Sequence, residues 1–325
     1  MTKWSAYVAA GVSALALTIL IGCSREGTES TSSPSGGRPR VALIMKARTN
    51  PFFERMAAGA SQAGEDLGAD VLVLDVDKET DTAGQAAKVE TAAASGVQVV
   101  LIAPADSKAI VAPLLQAQRR GIRIINLDNR IDAEAAEKAG LKIEAFIGPD
   151  NVEGARKSTA ALIERIGGEG NIAMLEGIRG VDNAESRKRG CTIAVQDTAG
   201  KVSIVAMDTA EWATEPAQKK MESILNTRPD IKGVFCANDM MALGAIQAIA
   251  SAGRTSDVIV TGYDNLEAAK AALRAGTLHA TIEQHPDRMG RMGVEAALKL
   301  IQGESLPPQI DVPTDLVTAE TLAAE

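Results

Sequence analysis

Four carboxylates, Asp128, Asp208, Asp239 and Asp264, each stand within a few residues of the end of a short apolar run. Paired acids could do acid–base work. The same ends, however, also carry Asn50, Asn129, Asn238, Gln284, Arg130 and Arg187. Planar amides, carboxylates and guanidinium together suit hydroxyl groups. A carboxylate accepts from a hydroxyl, an arginine donates to it, and an amide does either. Flat aromatics would cover the apolar C–H faces of a sugar ring. Aromatic residues make up only 2% of the chain, and beyond Cys23 they are Phe52, Phe53, Phe146, Trp212, Phe235 and Tyr263. Phe52 and Phe53 follow the first apolar run and Trp212 lies just past another, so these three are assigned to a ligand. Phe235 sits inside an apolar run and reads as core. Phe146 and Tyr263 fit either role.

Other chemistries lack their residues. No GxGxxG and no GxxxxGK[ST] occurs, and the turn Ala47-Arg48-Thr49-Asn50-Pro51 has no glycine to admit a phosphate to the backbone. No GxSxG nucleophile elbow is present, and neither His279 nor His285 stands at a strand end beside a nucleophile. No CxxC or histidine-rich spacing suggests a metal. Cys191 and Cys236 lie among apolar or small residues and read as buried free thiols, although an exported chain could pair them. The formal net charge of −8 argues against a nucleic-acid surface. The expectation is a binding protein without cofactor or metal, not an enzyme.

The strand ends need a scaffold, and the sequence supplies a regular alternation. Strands are expected at Arg40 to Lys46, Asp70 to Val76, Val97 to Ala103, Ile122 to Leu127 and Ala145 to Ile147. The helices between them are Pro51 to Leu67, Asp81 to Ala94 and Ser107 to Arg120, with Asp132 to Lys142 irregular. A second round begins with the helix Val152 to Ile166. Strands follow at Asn171 to Leu175, Val202 to Met207, Ile231 to Phe235, Val258 to Gly262 and Thr277 to Ile282. Helices lie between them, Arg288 to Ile301 is the last long one, and Ile310 to Val317 closes the chain as extended structure. Short apolar strands alternating with helices make parallel sheets buried on both faces. The 325 residues hold two such rounds, and ligands of doubly wound sheets bind outside the strand carboxyl ends.

The N-terminus reads as targeting. Lys3 precedes an uncharged apolar stretch from Tyr7 to Ile21, too short to span a membrane but apt for a secretory signal. Leu20-Ile21-Gly22-Cys23 resembles the bacterial lipobox, with Cys23 the lipidated first residue of the mature protein. Ser24 to Arg38 has no apolar residue and would be a flexible tether.

Seven segments in order carry a family resemblance. They are Asn50-Pro51-Phe52-Phe53, Asn126-Leu127-Asp128, Asp150-Asn151, Ala184 to Gly190, Ala237 to Ala245, Gly262-Tyr263-Asp264, and Ala280 to Gln284 before Pro286. From Arg40 to its end the chain resembles the type I periplasmic sugar-binding proteins of ABC transporters, the ribose- and allose-binding group. The resemblance implies two similar doubly wound parallel-sheet α/β lobes joined by three hinge crossings, with a sugar clamped between them. The expected parts are a signal peptide at 1–22, a lipidated cysteine and tether at 23–39, a first lobe at 40–147 plus 286–312, and a second at 148–285 plus 313–325. Carried over position by position, Asn50, Phe52, Phe53 and Asp128 would bind from the first lobe, and Arg187, Asn238 and Asp264 from the second. Gln284 would act at the hinge. A lysine like Lys46 and a tryptophan like Trp212 mark the allose-binding side of the group. Asn129 departs from both the ribose and the allose pattern at a position that touches ring hydroxyls, so it leaves the sugar or polyol open. The implied partners are a monosaccharide or polyol and an ABC permease, for a monomer that meets the membrane only through its lipid and no nucleic acid. Two alternatives share the fold: a binding protein serving chemotaxis or a sensor kinase, and the effector domain of a sugar-responsive repressor.

Overall fold

The structure, a computed structural model, describes residues 37–324. The leader, Cys23 and most of the tether lie outside the described residues. The first sheet is built by β1 (Arg40–Ile44), α1 (Pro51–Leu67), β2 (Asp70–Leu74), α2 (Thr82–Ala94), β3 (Val99–Ile102), α3 (Val111–Arg119), β4 (Arg123–Leu127), α4 (Ala133–Ala139) and β5 (Ala145–Gly148). The second follows through α5 (Asn151–Arg165), β6 (Gly170–Glu176), α6 (Asp182–Gln196), β7 (Val202–Thr209), α7 (Thr214–Thr227), β8 (Ile231–Cys236), α8 (Asp239–Ser251), β9 (Ile259–Thr261), α9 (Glu267–Arg274) and β10 (Ala280–Glu283). The chain ends with α10 (Pro286–Ile301), β11 (Gln309–Asp311), β12 (Asp315–Thr318) and α11 (Ala319–Leu322).

Two six-stranded sheets share one strand order, β2-β1-β3-β4-β5-β11 and β7-β6-β8-β9-β10-β12. Every pairing is parallel except β10 with β12. The strands read as continuous apolar runs because both faces are covered. Val41 and Leu43 join one buried cluster with α1 and α10, while Ala42 and Ile44 join another with α2 and α3. Helix α10 lies directly on α1: a Cβ at Gly290 would sit 2.2 Å from the Met56 carbonyl oxygen. Three short segments carry the chain between the sheets, at 149–150, 284–285 and 312–314.

The local signals explain most element ends. Asn50 caps α1 by accepting from the Phe52 N–H at 3.1 Å, Pro51 opens the helix, and Gly68 closes it at φ 74°. Three expectations differ. The segment 132–142 is not irregular but holds α4, capped by Asp132 and ended by Gly140. Helix α3 starts at Val111 rather than Ser107, because Asp106 accepts from the N–H groups of Lys108 and Ala109 and holds a turn there. The closing extended stretch is two strands in two different sheets, parted at Val312 to Thr314.

Among the described residues no helix is long and apolar enough to cross a membrane, and no cluster of acidic, histidine and cysteine side chains could hold a metal. Cys191 and Cys236 are buried free thiols.

Candidate functional site

The carboxyl ends of the two sheets face each other across a narrow cavity lined by residues of both.

From the first sheet, Lys46 follows β1 and is 2% exposed. Its Nζ lies 3.8 Å from Asp128 Oδ2 and 4.0 Å from Glu79 Oε2. Asn50 uses its oxygen on the α1 cap and donates its Nδ2 to Glu79 Oε1 at 3.1 Å. Phe52 and Phe53 project from the first turn of α1, edge to face with centroids 5.1 Å apart. Each lines the cavity with part of its surface and packs into the core with the rest. Asp128 ends β4 at φ 60°, a left-handed conformation that a non-glycine residue adopts at a cost. Burial pushes the carboxyls of Asp128 and Glu79 above their ordinary range, opposed by the Lys46 ammonium.

From the second sheet, Arg187 of α6 is fixed on all sides. Its Nε donates to Asn151 Oδ1 at 2.9 Å, Nη1 to the Ala237 carbonyl at 2.7 Å, and Nη2 to Gln284 Oε1 at 3.1 Å. Asp264 Oδ1 is 3.6 Å from Nη1 and accepts from Gln284 Nε2 at 2.5 Å. The guanidinium stacks 3.8 Å over the Tyr263 ring and sits 5.5 Å from the Trp212 ring. Burial raises the Asp264 carboxyl well above its ordinary value, with Arg187 opposing. Asn238 caps α8 through the Met241 N–H and donates to the Trp212 carbonyl at 3.1 Å. Gly177 makes room for the indole: a Cβ there would lie 2.1 Å from the Trp212 ring.

Three polar atoms in this cavity, Asp128 Oδ2, Asn183 Oδ1 and Trp212 Nε1, are buried without a hydrogen-bond partner among the described residues. Native proteins rarely leave such atoms unpaired. Two acceptors and a donor, contributed by both sides, define a site for a ligand that both donates and accepts.

The cavity brings together Lys46, Asn50, Phe52, Phe53, Asp128, Arg187, Trp212, Asn238, Asp264 and Gln284. It does not include Asn129, which the sequence placed against ring hydroxyls. That side chain is fully buried beside the cavity, donating Nδ2 to the Pro104 carbonyl at 3.0 Å and accepting at Oδ1 from the Asn183 N–H at 3.2 Å. The sequence reading missed Glu79 and Asn183. Glu79 follows β2, a strand end that the reading passed over, and Asn183 is four residues before Arg187 on the same face of α6. Of the other strand-end acids, Asp208 pairs outside with Lys220 at 2.7 Å. Asp239 instead braces the turn that carries Asp264, accepting from the Leu266 N–H and the Thr281 hydroxyl.

Comparison with known proteins agrees with this fold. Residues 41–305 match the family model described as periplasmic binding protein domain. The D-ribose/D-allose-binding protein of Pseudomonas aeruginosa is 36% identical over 94% of this chain and 97% of its own length. The D-allose-binding periplasmic protein of Escherichia coli is 34% identical over 78% of this chain and 82% of its own. An ABC transporter periplasmic solute-binding protein from Actinobacillus succinogenes, solved with bound D-allose, superposes with a TM-score of 0.84 at 38% identity, over 89% of this chain and 100% of that one. The chain belongs to the periplasmic binding protein family, within the extracytoplasmic sugar-binding proteins of ABC transporters.

Proposed function

We propose that this protein is a lipid-anchored extracytoplasmic binding protein that captures one monosaccharide or related polyol between its lobes and hands it to an ABC permease. The observation that carries this reading is the set of unpaired buried atoms, Asp128 Oδ2, Asn183 Oδ1 and Trp212 Nε1, around one narrow cavity. An anionic ligand would meet three carboxylates, Glu79, Asp128 and Asp264, against two cations, Lys46 and Arg187. A neutral polyhydroxylated ring suits them better, with its apolar faces against Phe52, Phe53 and Trp212. The names of the relatives put D-allose and D-ribose first among candidates.

The mechanism follows from the division of the site. Each lobe, at 40–147 plus 286–312 and at 148–285 plus 313–325, offers half the contacts. A ligand touching both halves stabilises the closed form by its differential affinity, and the three crossings act as the hinge. The permease would then recognise the closed pair of lobes. Cys23 would hold the monomer at the membrane, and the tether would let it reach the transporter.

Titration with D-allose, D-ribose, D-arabinose and myo-inositol tests the reading by calorimetry and thermal unfolding. At least one should bind, and at a hundredfold excess over Kd it should add about 2.7 kcal/mol of stability. No heat and no shift with any of the four would overturn the reading.

A further inference from the structure

Helix α6 carries Asn183 and Arg187 to the cavity, yet its own sequence does not cap it. The N-cap position is Val181, which has no side-chain acceptor and makes no capping bond. Helix α1, which follows the equivalent strand of the first sheet, is capped by its own Asn50, and α2, α5 and α8 are capped by Asp81, Asp150 and Asn238. The first N–H groups of α6 find their acceptors on the other lobe. Asp182 N–H donates to Ser107 Oγ at 3.4 Å, and Asn183 N–H donates to Asn129 Oδ1 at 3.2 Å.

Asn129 is preset for this contact. Its Nδ2 is committed to the Pro104 carbonyl, which fixes the amide with its oxygen toward α6. Its backbone carbonyl is held by Asn126 Nδ2 at 2.8 Å. Asn183 therefore meets the first lobe through its backbone and the cavity through its side chain. Arg187 lies one turn further along the same helix.

We infer that Ser107 and Asn129 form a helix cap in trans, completed only when the lobes close, and that they are positioning residues for ligand capture rather than sugar contacts. The inference rests on the sugar-capture reading. In an open form the α6 N–H groups turn to water. Closure trades water for fixed acceptors at the positive end of the helix, aligning Asn183 and Arg187 as the ligand is enclosed.

The test compares wild type, Ser107→Ala, Ser107→Thr, Asn129→Leu and the Ser107→Ala/Asn129→Leu double variant. The probe is whichever of D-allose, D-ribose, D-arabinose and myo-inositol binds wild type most tightly. Calorimetry gives Kd, stopped flow gives the dissociation rate, and small-angle scattering at saturating probe gives the closed fraction. Each single loss should weaken binding roughly 3- to 10-fold through faster dissociation, with the double variant near the product of the two. Ser107→Thr keeps the hydroxyl and should bind as wild type. Ligand-free Ser107→Ala should unfold at the wild-type temperature, because that bond exists only in the closed form. Kd within twofold of wild type for both single variants overturns the cap in trans. So does a loss of ligand-free stability in Ser107→Ala as large as its loss of ligand-bound stability, which marks an ordinary structural bond. Failure of wild type to bind any probe removes the capture reading itself, and the inference with it.

Discussion

Asp128 and Asp264 occupy equivalent places in the two sheets. Each follows the corresponding strand, β4 or β9, with positive φ, 60° for Asp128 and 117° for Asp264. Each donates its backbone N–H to the next strand, to Ile147 O at 3.0 Å and to Ile282 O at 2.8 Å. Their side chains live differently. Asp264 is tied by Gln284 at 2.5 Å and faces Arg187, which is itself bonded to Asn151, Ala237 and Gln284. Asp128 has Lys46 at 3.8 Å and one carboxylate oxygen without a partner among the described residues. The second wall is wired within its own side of the site, through Asn151, the first residue of α5, and Gln284 of a crossing. On the first wall Asp128 Oδ2 keeps its bonding capacity open. The contrast is between two carboxylates: Asp264 belongs to a network within its own lobe, whereas Asp128 keeps an acceptor open, as Asn183 and Trp212 keep polar atoms open on the second wall.

Breaking the wired wall should have the largest effect. Arg187→Ala leaves Asp264, Gln284 and Asn151 without their shared donor in a buried site. Loss of one partner of such a group costs about 3–5 kcal/mol when fully buried, so ligand affinity should fall by at least about 2 kcal/mol, roughly thirtyfold. The same variant should unfold at lower temperature without ligand, because the network exists without it. Unchanged ligand-free stability, read by thermal unfolding, would contradict a preassembled wall.

The first wall predicts the opposite pattern. Asp128→Asn removes a charged acceptor aimed at the ligand, worth about 1.5–3 kcal/mol of binding, and should leave the ligand-free protein no less stable at neutral pH. The pH dependence sharpens this. Burial raises the Asp128 carboxyl above its ordinary value of 3.8. The folded protein therefore keeps a proton that the unfolded chain has released, and this group's contribution falls as pH rises from about 4 through the raised value. Asparagine has no such loss. The stability of Asp128→Asn relative to wild type should therefore rise between pH 4 and pH 7, measured by denaturant unfolding without sugar. The reverse trend would mean that Lys46 already compensates the carboxylate fully.

The two walls also differ in how well the sequence announced them. Strands buried on both faces, such as Val99–Ile102, are unbroken apolar runs and were plain. Helix α4 was not, because only Ala136 of its seven residues is buried and no apolar stripe repeats. The rule that function gathers at strand ends located Lys46, Asp128, Asn238 and Asp264 directly. It misled at Asn129, where the left-handed turn at Asp128 sends the next side chain toward Pro104 instead of the cavity. A backbone angle of that kind has no mark in an aspartate. Glu79 was hidden by distance, several residues beyond β2, and becomes a cavity residue only through Lys46 and Asn50. Asn183 needed the register of α6, which its charged face obscured.

The smallest and most local effect belongs to Trp212, where the wired wall exposes a single unsatisfied donor. The residue sits at φ 67°, held by the bond from Asn238 to its carbonyl and by the space over Gly177. Its ring is thus positioned by the backbone and by packing, independently of Nε1. Trp212→Phe keeps a flat apolar surface but removes both the N–H and part of the ring area, so ligand analogues are needed to separate the two. The lost hydrogen bond should account for about 1 kcal/mol of affinity, roughly fivefold, and the smaller buried ring should also lower the ligand-free unfolding temperature. A sugar analogue lacking the hydroxyl that meets Nε1 should narrow the difference between the two proteins by about that amount, since the bond lost in the variant is already absent from the analogue. If no deoxy analogue narrows the difference between them, Trp212 acts through ring area alone, and the donor left open on the second wall is not part of the recognition.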